Sequence, residues 1–364
     1  MRFAWTLAAT SATALTGCRF DLPEAGVSDA VLSDAPLGGC YGAPSGLVRP
    51  CFASAPTGNI TLPGTIDTDT STLCGAPMSG GNGYCVVAAN NITLDDSVAA
   101  TGTKPLVLVA VSTITIEAGA TLDVASHHST IPPRTGAGAG STDCMAGTPP
   151  MASGAGGGGA GGAFGGAAGS GGAGNNGAGA AGTPGAVQVA TTLRGGCPGQ
   201  DGINGTFGIG GKGGGAVYLI ATRISISGAI NASGEGGRPG LTGSAGGGGG
   251  GSGGMIGLDA PMITNSGNVF ANGASGGEGS GTATPGNLGP EPTSTAASPP
   301  PTSGTNNGGD GGGGSGTGIP TGRNGSNGSG GGSPGGGGGG GGGLGVIKVY
   351  RGTLTGNVSP MPTP

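Results

Sequence analysis

Islands of alternating apolar and polar residues recur along this chain, separated by stretches that hold little besides glycine, alanine and serine. One island, AVYLIATRISISGAIN, runs from 216 to 231 with a glycine run on its N-terminal side. No island can bury a core of its own. Glycine loses more conformational entropy on folding than any other residue, so the intervening runs have no independent fold. Such a chain folds only if its islands pool their apolar surface and give the glycine a scaffold. There are 96 glycines and 27 prolines among 364 residues. Without a strict G-X-Y period, such a proportion marks low complexity or disorder unless a scaffold intervenes.

The islands superpose on one another. GAVYLIATRISISGAINASG (215–234) and GMIGLDAPMITNSGNVFANG (254–273) match without a gap at an offset of 39 residues. Val217, Leu219, Ile224, Ile226 and Ile230 fall on Ile256, Leu258, Ile263, Asn265 and Val269. Val107, Val109, Ile114, Ile116 and Leu122 of the 105–126 stretch take the same columns. The stretches 58–70, 84–102 and 345–360 extend the series through Ile60, Ile92 and Leu354.

Alternation is the period of a half-buried strand. Units that are unstable alone but bury a shared column when stacked are the logic of a solenoid. The expected fold is therefore all-β, a parallel β-helix or solenoid of about six coils. A sandwich would connect its strands by antiparallel hairpins with Asn-Gly or Asp-Gly turns, and the repetition of whole units favours parallel stacking instead. All the excess length falls between the end of one unit and the start of the next, which puts the long glycine-rich insertions at one corner. Two readings of them stay open: disordered loops, or polyglycine-II-like extended helices packed side by side. The EPTSTAASPPPTSGT stretch (291–305) is expected to be loose in either case.

The N-terminus, MRFAWTLAATSATALTGC, has one positive charge and an apolar stretch too short to span a bilayer. Leu15-Thr16-Gly17-Cys18 resembles the lipobox of bacterial lipoproteins. That resemblance implies that Cys18 carries the lipid and becomes the first mature residue, and that the protein is exported and held to the membrane through Cys18. Arg19 in place of Asp favours the outer membrane, and with it the cell surface. The chain then divides into 1–17 as signal peptide, 18–39 as lipidated Cys and tether, and 40–126 as N-terminal coils with disulfides. A glycine-rich insert follows at 127–214, then central coils at 215–273 with a short insert of their own. A second long insert spans 274–344, and 345–364 is the last coil and tail.

Six cysteines remain after Cys18, an even number that in an exported chain reads as disulfides. Proximity favours Cys40–Cys51 and Cys74–Cys85, and leaves Cys144–Cys197 to tie off the first long insert. Tandem apolar islands with blocks such as GAGGGGAGGAFGGAAGSGGAGNNG (154–177) resemble PGRS-like glycine-rich cell-surface proteins of bacteria, and lipoproteins with pectin-lyase-like β-helix coils. Pectin-lyase-like folds include enzymes, adhesins and passive stalks, so the fold does not choose a function.

Only 8% of residues are charged and the net charge is −5, which excludes the basic footprint of a nucleic-acid binder. His127 and His128 read as exposed loop residues, and no metal site or cofactor is expected. Asp95, Asp96, Glu117, Asp123 and Asp259, with Lys104, Arg223, Lys348 and Arg351, are the outward charges a polysaccharide-acting β-helix would use. They read as solvated edges, and no catalysis is expected. Tyr218 and Lys348 share an outward column that a glycan-binding strip would use. An ice-like ordered surface would need regular threonine rows, and none is legible. The expected function is a lipid-anchored structural or adhesive surface protein. The remaining partner is an extracellular surface or glycan, and the alternative is a polysaccharide-binding or polysaccharide-degrading protein.

Overall fold

The computed structural model describes residues 38–130, 132–140, 143–304, 307–330 and 333–364. Cys18, the expected signal peptide at 1–17 and the expected tether as far as residue 37 lie outside them. The described chain is almost all β, in two parallel sheets visited alternately. The first sheet runs, in chain order, through Asn59–Thr61, Cys85–Leu94, Leu106–Ile116, Ala216–Ile220, Met255–Asp259 and Val346–Arg351. Arg223–Ile226 and Met262–Asn265 extend it beside the end of Leu106–Ile116. The second sheet stacks Thr65–Asp67, Val98–Thr101, Thr121–Asp123, Ala229–Asn231, Asn268–Phe270 and Asn357–Ser359, again in chain order. One core unites both, with Ile92, Ile114, Ile224 and Ile256 from the first and Ile66, Leu122, Ile230 and Val269 from the second. Each of these buried side chains contributes about 1.5–3 kcal/mol, a gain no island obtains unstacked.

The register agrees with the sequence columns at Ile60–Ile92–Ile114–Ile224–Ile263. It corrects them one strand segment earlier. Leu106 and Leu108, not Val107 and Val109, lie opposite Val217 and Leu219. The long strand Leu106–Ile116 carries one more residue than its neighbour across the irregularity after Ala89, and a one-residue slip sends every side chain to the other face. Alternation could not reveal the slip because residues 106–110 are buried on both faces. Val107 and Val109 instead join a second core with Val86, Tyr218 and Ile220, beneath Val48, Tyr41 and Phe52 of the N-terminal segment.

The glycine stretches leave the second sheet after Asp123, Asn231 and Phe270 and rejoin the first at Ala216, Met255 and Val346. Between those points they pack as extended segments whose amides and carbonyls bond in threes. The segment 244–254 shows the pattern. Gly246, Gly249 and Ser252 donate to Ile203, Gln200 and Cys197; Gly247, Gly250 and Gly253 donate to Gly337, Gly340 and Gly343; Gly248, Gly251 and Gly254 donate to Arg238, Glu235 and Ala232. Its carbonyls accept on the same period from Gly156, Gly159 and Gly162, from Gly208, Gly211 and Gly214, and from Ala274 and Gly277. Backbone therefore encloses the segment on every side. A Cβ on Gly246, Gly247 or Gly248 would lie 2.0, 2.1 or 2.2 Å from the carbonyl oxygens of Gly157, Gly277 or Ile209. Peripheral segments need glycine on the inner side only. In TGRNGSNGSG (321–330), Gly322, Gly325 and Gly328 face the nine-glycine run 335–343, while Arg323, Asn324, Ser326 and Asn327 point to solvent. Side chains complete the outer bonding, with Asn324 Oδ1 accepting from Ser170 N at 2.9 Å and Asn327 Oδ1 from Ala173 N at 2.8 Å.

Three disulfides join Cys40 to Cys51, Cys74 to Cys85 and Cys144 to Cys197.

Candidate functional site

The densest cluster of titratable groups forms where the chain leaves the second sheet. Asp123 ends the strand Thr121–Asp123. An antiparallel bridge between His127 and Arg134 folds the following loop back on itself, so that Arg134 pairs with Asp123. His127 Nε2 lies 3.2 Å from Asp123 Oδ2, and its Nδ1 lies 3.0 Å from Glu291 Oε2. Glu291 also accepts from the backbone N of His128 at 2.6 Å and from Ser129 Oγ at 2.7 Å, and His128 Nδ1 is 2.9 Å from Glu291 Oε1.

Burial opposes the charged forms throughout, and the pairing overcomes it. It holds Glu291 well below the usual carboxylate range through its bonds to His127, His128 and Ser129. Desolvation pulls the His127 pKa down, but hydrogen bonds and charge from Asp123 and Glu291 push it up to about 9. Hydrogen bonding to Glu291 also raises His128. The two histidines are thus not exposed loop residues; their side chains are only 15% and 11% exposed. The segment after Glu291 is not loose either: Asn272 Nδ2 reaches the carbonyls of Ser294, Thr295 and Ala296, and Ser298 is buried. Sequence reasoning missed the burial of the histidines because their partner, Glu291, lies more than 160 residues away. Glu291 is bonded to His127 Nδ1, the backbone N of His128 and Ser129 Oγ, so the cluster ties two insertions together.

A second buried charge corrects two other expectations. Asp259 is fully buried and accepts from Ala43 N at 2.6 Å, Arg351 Nε at 2.5 Å and Tyr218 Oη at 3.3 Å. It fastens the Cys40–Cys51 loop to the first sheet and is not a solvated edge. Tyr218 does share the column of Gly257 and Lys348, but it is fully buried beneath that loop. Burial and the nearby Asp259 push its pKa up. It cannot present a ring to a glycan.

The remaining charges stay dispersed. Asp95, Asp96 and Glu117 are exposed at the ends of paired strands, where the register sets Leu94 beside Ile116. Arg223 sits opposite Thr113, three residues before Ile116, and Arg351 is committed to Asp259. Lys104 is exposed, and Lys348 lies on the last strand of the first sheet. No group of three His, Cys, Asp or Glu positioned to hold a metal ion occurs among the described residues. Among them no helix is long and apolar enough to cross a membrane.

One regular row does emerge. Thr61, Thr93, Thr115, Ser225 and Thr264 stand in register on successive parallel strands, exposed or partly exposed, about 4.8 Å apart as paired strands are. Beside it Asn91 Nδ2 donates to Asn59 Oδ1 at 2.8 Å, and Thr113, Arg223 and Met262 complete that second column. The hydroxyl row escapes a sequence scan because its members are up to 110 residues apart between adjacent strands. These features define an all-β protein of parallel sheets with a packed glycine body. Comparison with protein-family models, with curated proteins and with solved structures returns no match.

Proposed function

We propose that this chain is a structural or adhesive protein of the bacterial surface, exported and lipid-anchored through Cys18, and not an enzyme. In this reading the two sheets are faces of one parallel β-helix, and the glycine segments are a polyglycine-II-like bundle seeded from one of its corners. The single observation that carries the proposal is the enclosure of 244–254 and 335–343 by backbone on every side. That supports a stiff body in place of pendant loops, and the Glu291 cluster serves to fasten two of its insertions together. The three disulfides suit an oxidising, extracytoplasmic setting.

The experiment is labelling of intact cells with a membrane-impermeant amine-reactive biotin, followed by mass spectrometry of Lys104 and Lys212, both exposed. Labelling in intact cells is expected. Labelling only after the envelope is breached removes the surface role. Cys18→Ala is expected to move the protein from the membrane to the soluble fraction.

The row of hydroxyls favours a second reading, a glycan-binding protein. Thr93→Val with Thr115→Val is then expected to abolish retention on insoluble polysaccharide without changing the melting temperature.

A further inference from the structure

We infer that the Cys144–Cys197 disulfide is a thiol-exchange site, at which a small external thiol attacks Cys144 Sγ and leaves Cys197 as a thiolate held by Arg194. The pair lines a cleft of about 210 Å³ with Gly161, Gly162 and Met145. Cys144 is partly exposed on that cleft, whereas Cys197 is 3% exposed and its amide is fixed to Ser252 Oγ at 2.7 Å. Attack is therefore open at one sulfur and hindered at the other.

Arg194 supplies the electrostatics. Its Nη2 lies 3.3 Å from Cys144 Sγ and 3.2 Å from Cys197 Sγ. Three further interactions hold the guanidinium in place. Nη1 donates to Asp143 O at 3.2 Å, Nε donates to Gly195 O at 3.2 Å, and the group lies 4.7 Å from the centre of the buried Phe164 ring. A fixed cation lowers the pKa of an adjacent thiol and so makes it a better leaving group. Among the described residues nothing comparable serves the other two pairs. Cys51 Sγ has the carbonyl of Arg49 at 3.8 Å, and Cys74 Sγ has that of Thr68 at 3.7 Å. Carbonyl oxygens destabilise a developing thiolate.

The step balances without an oxidant. The small thiol loses its proton to solvent, and its thiolate forms a new S–S bond to Cys144. The Cys144–Cys197 bond breaks, and its electron pair goes to Cys197 Sγ beside Arg194. Return attack by Cys197 expels the thiol, so the cleft carries its guest reversibly.

The test exposes the intact folded protein to reduced glutathione for timed intervals, quenches with N-ethylmaleimide and maps every cysteine by mass spectrometry. Glutathione is expected on Cys144 and the maleimide on Cys197, with this pair opening about tenfold or more faster than either other pair. Arg194→Gln is expected to slow this pair about tenfold and leave the other two unchanged, while Arg194→Lys keeps most of the rate. Three results would overturn the inference: glutathione on Cys197, opening no faster than Cys40–Cys51, or an Arg194→Gln protein exchanging at the unaltered rate. Should Arg194→Gln fail to fold by circular dichroism, the position of the adduct and the ranking of the three pairs in the unaltered chain still decide it.

Discussion

The stacked sheets and the glycine body solve the same problem in opposite ways. Both lay extended segments side by side and satisfy backbone donors and acceptors between neighbours. In the sheets each strand bonds to two neighbours in one plane, and side chains such as Ile224 and Ile226 fill the space above it. In the glycine body the bonding turns through three directions, and the space a side chain would fill is taken by the next backbone. One region is stabilised by apolar burial, the other by hydrogen bonds in a lattice whose enclosed glycines leave no room for a Cβ. The difference teaches why the islands must exist at all. Glycine segments bear the largest ordering cost per residue, and strands anchored in an apolar core hold their ends in register.

The comparison can be broken most violently in the apolar core. Ile226→Asp, which places an unpaired charge among Ile116, Leu122 and Ile230, is expected to cost several kcal/mol and leave no cooperative thermal transition. Ser225→Asp, one residue away on the solvent face, is expected to fold normally. Equal damage from both would sink the assignment of faces.

The glycine lattice gives the next largest effect. Gly247→Ala would set a methyl 2.1 Å from the Gly277 carbonyl, and overpacking of this kind costs about 1–3 kcal/mol. Gly140→Ala, with open space around the new Cβ, is expected to leave the melting temperature unchanged. If the two variants melt together, the close approach is not what demands glycine.

The charged cluster at Glu291 belongs to neither regime and sharpens the contrast, because it joins insertions through one carboxylate side chain. Glu291→Gln is expected to cost about 1–3 kcal/mol and to open 127–134 and 291–298 to hydrogen exchange while amides of 244–254 stay protected. The smallest effect is the pH dependence. The folded pKa of His127 is raised above its ordinary value, to about 9. Its contribution is therefore complete below about pH 6.5 and is lost as pH rises through about 9. The melting temperature is expected to fall across that window, and His127→Gln should flatten the fall. A slope unchanged by His127→Gln would assign the loss to another group.

Much of the sheet region was legible in the chain. The columns through Ile92, Ile114 and Ile224 could be read because one face is apolar and the other polar, so the alternation carries the register. Where residues 106–110 are buried on both faces the signal vanished, and Val107 and Val109 were assigned to the wrong side. Tyr218 was misread for a related reason: an outward column stays outward only if nothing folds over it, and the Cys40–Cys51 loop does. The site residues were less legible still, since Glu291 meets His127 and the hydroxyl row assembles only after the insertions have been traversed.

By itself, then, the sequence determined the local quantities: an alternating pattern that makes strands, a repeat that lets them stack in parallel, and cysteines close enough in the chain to pair. It also carried, unrecognised, the position of each glycine segment in the body. Glycine at every position marks a segment enclosed on all sides, as in 335–343, and glycine at every third marks one enclosed on a single side, as in 321–330. Only the tertiary structure decided which segments lie beside which. Glycine has no side chain with which to specify a neighbour, and backbone hydrogen bonds are the same for every pairing. The partners of each glycine segment are therefore set from outside, by the strands that fix where it begins and ends.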